Sequence, residues 1–309
     1  MSQHNAGRET TAGEQAISAA PEAPQRTSRA GRNLPAAIAT GVVLLVPALF
    51  GIFFLVPLLI AVWVVLLCMG VWEVARALEA RDVQPEHRLR LPKIPLYLGA
   101  TVMPIAAYWG GVEALTLAMM LTGVAIMIGA ALSRVPDPGR SVMASLFVAC
   151  WVPFLISFAV LLLAAPQGDW RLVVVVLLVV SNDTFGYIAG VLFGKHPMAP
   201  KISPKKSWEG FAGSLTGAVV VGVLTSWLIF DEPLYIGALL AIAVVIAATA
   251  GDFSESMVKR ELGIKDMSAV LPGHGGVMDR LDSLVFAMPT AFFVIVALTG
   301  ETGGLPLGL

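Results

Sequence analysis

The sequence predicts an all-α, polytopic integral membrane protein of about nine transmembrane helices with its N-terminus in the cytoplasm. Three observations carry that prediction. The 309 residues are 57% hydrophobic and only 13% charged, where a soluble domain carries about twice that charged fraction. Mean hydropathy is +0.82, and several apolar runs exceed the roughly 18 residues that cross a bilayer. The basic residues alternate along the chain as the positive-inside rule requires. A transmembrane β-barrel would instead show short segments of alternating polarity, and the sequence has none.

The elements follow in order. Residues 1–33 are rich in Ala, Ser, Gly, Glu, Gln and Arg and lack an apolar stretch, which predicts a disordered cytoplasmic tail. Residues 34–72 carry no charge until Glu73; that is too long for one span, and a split near Pro47–Gly51 gives two. Further spans are expected at roughly 94–110, 112–132, 142–165, 171–193, 209–230, 233–254 and 282–300. With the N-terminus inside, every Lys and Arg of the 20 except Arg171 then falls on the cytoplasmic side. The chain therefore divides into a tail (1–33), N-terminal transmembrane helices (34–180), a catalytic transmembrane region with cytoplasmic loops (181–300) and a short C-terminal tail (301–309). Cys68 and Cys150 each lie in an apolar run and read as small core residues. Net charge is −1, and nothing points to nucleic acid.

Chemistry concentrates in two cytoplasmic loops, expected at 194–208 and 255–281. The segment Gly251–Ser283 interleaves Asp252, Glu255, Lys259, Arg260, Lys265, Asp266, His274, Asp279, Arg280 and Asp282. Carboxylates supply the hard oxygen ligands that Mg²⁺ prefers, and Mg²⁺ in turn binds substrate phosphates. Lys and Arg stabilise charge on transferring phosphoryl oxygens. The Pro272-Gly273-His274-Gly275-Gly276 turn can bring backbone N–H groups close to phosphate oxygens. Upstream, Asp183 lies inside an apolar span, where an ionisable group needs a polar cavity or a cation. Lys205 and Lys206, flanked by Pro204 and Trp208–Glu209, fit phosphate binding, with the positive-inside bias as the alternative. Gly186, Gly190 and Gly194 share one helix face, as do Gly213 and Gly217, a spacing suited to close helix packing.

The downstream segment resembles the signature of the phosphatidate cytidylyltransferase (CDP-diacylglycerol synthase) family: Ser256, Lys259–Arg260, Lys265–Asp266, Pro272-Gly273-His274-Gly275-Gly276 and Asp279-Arg280-Leu281-Asp282, without a break in spacing. The upstream segment is similar to the same family in its intramembrane Asp183, its Phe193-Gly194-Lys195-His196 end and its Ser203-Pro204-Lys205-Lys206-Ser207-Trp208-Glu209-Gly210 loop. Ser207 stands where Thr is common and keeps the hydroxyl. The resemblance covers about residues 34–300, with its motifs in 181–283.

The resemblance implies attack by the phosphate of phosphatidic acid on the α-phosphorus of CTP, with pyrophosphate leaving. The expected catalytic group is Asp183, Asp252, Lys265, Asp266, Asp279, Arg280 and Asp282. Asp252 and Asp279, with Asp183, are the expected ligands of Mg²⁺ or another divalent cation; a monovalent cation is an additional candidate. Ser203, Lys205, Lys206, Lys259, Arg260, His274, Gly275 and Gly276 are expected to hold substrate. Membrane lipids surround the chain, the plasma membrane is the expected location, and the glycine faces together with the family suggest a homodimer. The rival readings are a CTP-dependent lipid kinase and a cation-coupled transporter. The transporter reading lacks a repeat and polar residues spread through the midplane. A CDP-alcohol phosphotransferase would show an Asp-Gly-x-x-Ala-Arg opening, which is absent.

Overall fold

A computed structural model describes residues 34–81, 89–133, 137–271 and 275–300. The predicted tails, 1–33 and 301–309, lie outside the described residues, as does His274. The chain forms α1 (Leu34–Phe53), α2 (Val56–Arg81), α3 (Lys93–Leu132), α4 (Pro138–Ala149), α5 (Phe158–Ala164), α6 (Gly168–Phe193), α7 (Trp208–Thr225), α8 (Leu234–Leu262) and α9 (Met278–Thr299), with a two-stranded hairpin of β1 (Pro197–Ala199) and β2 (Ser203–Ser207) before α7. Among the described residues, seven helical segments are long and apolar enough to cross a membrane. The chain is an all-α integral membrane protein.

The first break falls at Phe54–Leu55, not at Pro47–Gly51; Pro47 sits inside α1. Pro57 lies in the first turn of α2, where a proline suits a helix start. A proline within a membrane helix is tolerated. The expected spans at 94–110 and 112–132 are the two arms of α3. Gly111 there adopts φ 63°, ψ −155°. A Cβ on Gly99 would lie 2.7 Å from the Thr122 side chain, and one on Gly129 3.0 Å from Pro92. Residues 99 and 122 would stand about 35 Å apart in a straight helix at 1.5 Å per residue, so the chain reverses at Gly111.

Two further boundaries depart from the sequence reading. The segment at 255–281 is not all loop, because α8 continues to Leu262 and ends on Gly263 at φ 70°. Lys259 and Arg260 lie in its last turn, where cations complement the helix dipole, and Glu255 pairs with Lys259 one turn on. The loop at 194–208 contains the β-hairpin, paired Pro197 with Ser207 and Ala199 with Ser203. Cys150 is exposed and not a core residue; both cysteines are free.

Two apolar cores hold the bundle. One gathers α5, α6, α8 and α9 around Phe158, Leu178, Val244 and Met288. The other joins α2, α3 and α4 to the start of α9 through Leu67, Leu96, Val148 and Met278. The outward faces stay apolar, as Leu121, Ile128, Val191 and Leu192 show, which suits a lipid solvent. Glycines let α6 and α7 approach closely: a Cβ on Gly186 would strike Ser214 Oγ at 2.3 Å, and one on Gly213 would strike Ala189 at 2.2 Å. This seam lies within one chain.

Candidate active site

The β-hairpin is tied to the start of α7 by local chemistry. The Ser207 hydroxyl caps α7 by accepting from Gly210 N–H at 3.1 Å. Glu209 accepts from the Lys195 and His196 N–H groups at 3.1 and 3.2 Å and meets His196 Nδ1 at 2.5 Å. This anchoring sets Lys205 and Lys206 on β2, where they line one cavity with residues of α6 and α8. Lys206 forms an ion pair with Asp252 and stands 4.8 Å from the Phe253 ring centroid.

Asp183, Ser203, Lys205, Lys206 and Asp252 line one cavity of about 340 Å³. Its wall is built by short polar contacts. Ser214 Oγ donates to the Asn182 carbonyl at 2.6 Å, Thr249 Oγ1 donates to Asn182 Oδ1 at 3.5 Å, and Asn182 Nδ2 donates to Asp183 Oδ1 at 2.9 Å. Asp183 is thereby oriented, with its carboxylate open to the cavity. Ser256 Oγ donates to Asp252 Oδ1 at 3.4 Å.

Asp282 joins this group through helix packing. A Cβ on Gly251 would lie 2.4 Å from the Asp282 carbonyl oxygen, so α8 and α9 touch backbone to backbone there. Asp252 is within electrostatic range of both Asp183 and Asp282, and Arg280 within range of Asp183. Three carboxylates from α6, α8 and α9 thus act on one another electrostatically, with Lys206 and Arg280 acting on Asp183.

Asp279 anchors an adjoining network. Its Oδ1 accepts from Lys259 Nζ at 2.9 Å, and its Oδ2 accepts from Met267 N–H at 3.0 Å and Gly276 N–H at 2.8 Å. Lys259 also pairs with Glu255, which is fully buried. The N–H of Gly275 donates to the Leu271 carbonyl at 3.1 Å, and Gly275 has φ 83°, a conformation that glycine adopts freely. Arg260 Nε donates to the Ile202 carbonyl at 3.3 Å, linking α8 to the hairpin. Lys265 and Asp266 are exposed on the loop after α8 and are not among the cavity-lining residues.

Gly276 is wedged between carboxylates: an added Cβ would stand 2.8 Å from Glu73 Oε2 and 2.9 Å from Asp279 Oδ2. Gly276→Ala is expected to lower stability by about 1–3 kcal/mol, the usual cost of overpacking. Thermal unfolding in detergent reads this; an unchanged midpoint would show that the carboxylates yield freely.

Several residues of the site escaped sequence reading. Asn182, Ser214 and Thr249 are unremarkable polar residues in apolar helices, and only their mutual contacts give them a role. Glu73 carried one signal: it is the first charge after a long uncharged run.

The donor set suits a divalent cation that is completed by substrate phosphates. Among the described residues no three His, Cys, Asp or Glu side chains form a ready-made metal cage, but Mg²⁺ in phosphate chemistry needs only one or two carboxylates. Asp252 and Asp279 each already hold a cation, the ammonium of Lys206 and of Lys259 respectively.

Comparison with known proteins agrees with this chemistry. Residues 35–298 match the Cytidylyltransferase family. A phosphatidate cytidylyltransferase of Mycobacterium bovis is 36% identical, over 96% of this chain and 100% of the relative. One of Mycobacterium leprae is 39% identical over 90% of this chain and 92% of the relative. A phosphatidate cytidylyltransferase of Haemophilus influenzae is 43% identical over 40% of this chain and 44% of its own length. With the match spanning nearly every helix that builds the cavity, the chain belongs to the cytidylyltransferase family.

Proposed function

We propose that the chain transfers the cytidylyl group of CTP to phosphatidic acid, forming CDP-diacylglycerol and pyrophosphate, at the cavity between α6, α7, α8 and the β-hairpin. The observation that carries this reading is the meeting of Asp183 and Asp252 with Lys205 and Lys206 around one cavity. Carboxylates for a divalent cation and ammonium groups for phosphates are what the reaction requires.

A phosphate oxygen of phosphatidic acid attacks the α-phosphorus of CTP. The bond from that phosphorus to the bridging oxygen breaks, and pyrophosphate leaves with the electron pair. The nucleophile is already anionic at neutral pH, so no strong general base is needed; positioning and charge neutralisation carry the catalysis. A bound divalent cation would neutralise phosphate charge and hold the reacting groups in line. Asp252 and Asp183 would hold that cation, and Asp279 would join them by releasing Lys259. Lys206 and Lys259, once freed from their carboxylates, become available to phosphate oxygens. Lys205 and Ser203 sit in the same wall, and Arg280 and Asp282 flank it. Arg260, in the last turn of α8, and Lys265, Asp266, Gly275 and Gly276, between α8 and α9, would contact the substrate phosphates, and His274 belongs to the same proposal.

Counting α3 twice, because it reverses at Gly111, and including α1 gives nine crossings, with the N-terminus and the site on the cytoplasmic side of the plasma membrane. CTP would reach the site from that side and phosphatidic acid from the bilayer. Because the α6–α7 glycine seam is intramolecular, the homodimer rests on the family resemblance alone. A monovalent cation remains an additional candidate beside the divalent one.

The test uses purified protein in detergent–lipid micelles with phosphatidic acid, Mg²⁺ and CTP labelled at the α-phosphorus. Label should move into the lipid phase, and EDTA should stop it. Label found only in soluble CDP would replace this reading with a CTP-dependent lipid kinase. Label left in CTP would reject cytidylyl transfer.

A further inference from the structure

Glu73 lies on α2, far in sequence from every motif discussed above. Its side chain is 1% exposed. Oε1 accepts from Ser268 Oγ at 2.5 Å and from Val277 N–H at 2.8 Å. Oε2 accepts from Met278 N–H at 2.8 Å. A buried carboxylate is costly unless its oxygens are satisfied, and here three donors from neutral groups satisfy them. Two of those donors are backbone N–H groups at the start of α9, which no helical carbonyl can reach.

The donors come from two points, Ser268 within the segment between α8 and α9 and Val277–Met278 where α9 begins. Ser268 follows Met267, whose N–H binds Asp279. Val277 and Met278 follow Gly276, whose N–H binds Asp279 as well. Glu73 and Asp279 therefore grip the same two points from opposite sides, with Gly276 between them. The difference is their position. Asp279 is a candidate ligand of the reacting group and exchanges partners if it binds a cation, whereas Glu73 is on another helix and reaches no part of the cavity.

We infer that Glu73 is a positioning residue. It holds the first turn of α9 and the loop before it, so that Asp279, Arg280 and Asp282 keep their register toward Asp252 while Asp279 changes partners. This rests on the functional reading above. Glu73 touches no reacting atom, so its contribution is geometric, and a displacement near 1 Å in such a site costs about 10²-fold in rate.

The test compares wild type with Glu73→Gln, Glu73→Asp and Ser268→Ala, all purified in detergent–lipid micelles. Gln keeps the shape of the side chain but turns an NH₂ toward one of the backbone N–H donors. For the folded fraction of Glu73→Gln, kcat should fall about 10- to 100-fold, the KM for CTP should change less than about threefold, and the Mg²⁺ concentration for half-maximal rate should rise. Ser268→Ala, which removes one of three bonds, should show the same pattern more weakly. Independently of activity, hydrogen–deuterium exchange of peptides covering 264–281 should accelerate in Glu73→Gln. If Glu73→Gln does not fold, Glu73→Asp and Ser268→Ala carry the same comparison. Variants that melt earlier but retain wild-type kcat, KM, Mg²⁺ dependence and exchange would overturn the inference. A wild type that fails to label lipid, with exchange still faster in the variants, would reject the functional reading and leave the Glu73 anchor standing.

Discussion

Asp252→Asn is expected to reduce cytidylyl transfer by about 10²- to 10³-fold or more, in a chain that still inserts and purifies normally. Asp252 stands where α8 meets α9, next to Gly251 and the Asp282 backbone, and it pairs with Lys206 across the cavity. Asparagine has nearly the same volume, so the helix contact survives. What is lost is the negative charge that would hold a divalent cation and that restrains Lys206. The assay is transfer of label from CTP to lipid at several Mg²⁺ concentrations, and raising Mg²⁺ should restore little. Turnover within tenfold of wild type, at equal folded protein, would remove Asp252 from the chemistry.

The largest stability loss is expected at Lys259. Its ammonium group lies between Glu255 and Asp279, and the three side chains are 17%, 0% and 7% exposed. Lys259→Met leaves two buried carboxylates facing each other without their shared cation. Breaking a buried ion pair by removing one member costs about 3–5 kcal/mol, so thermal unfolding in detergent should move down markedly. Adding Glu255→Gln to Lys259→Met should recover part of the loss, because one of the stranded charges is gone. Equal midpoints for wild type and Lys259→Met would contradict this account. A double variant no more stable than the single one would place the loss elsewhere.

The parts of the fold that were legible in sequence are those written in one stretch of chain. Long apolar runs mark the helices because a span needs about 20 such residues, and the motif at 252–282 carries its acids and bases within a few turns. The division between the expected spans at 94–110 and 112–132 falls at Gly111, where α3 reverses. The extent of α8 was hidden because Glu255, Lys259 and Arg260 read as a charged loop, although they extend a helix through an i,i+4 pair and a favourable last turn. The β-hairpin was hidden because Pro-Met-Ala and Ser-Pro-Lys-Lys-Ser are too short and too polar to show alternation. Asn182 and Glu73 gain their roles from partners on other elements, Ser214 and Thr249 for the one and Ser268, Val277 and Met278 for the other. Periodicity has no access to such contacts.

The hydrogen bond from Met278 N–H to Glu73 closes across 205 residues, and this orders events during synthesis. At ribosomal rates of about 5–20 residues per second, α9 follows α2 by roughly 10–40 s. Throughout that interval the donors that will satisfy Glu73 have not been made. A carboxylate in that state is best kept hydrated at the membrane boundary, so the end of α2 cannot take up its final burial early. α9 both carries Asp279, Arg280 and Asp282 and seals Glu73 from water. A nascent chain that has inserted every helix before α9 would therefore still be inactive, and catalytic competence would arise only once α9 joins the bundle.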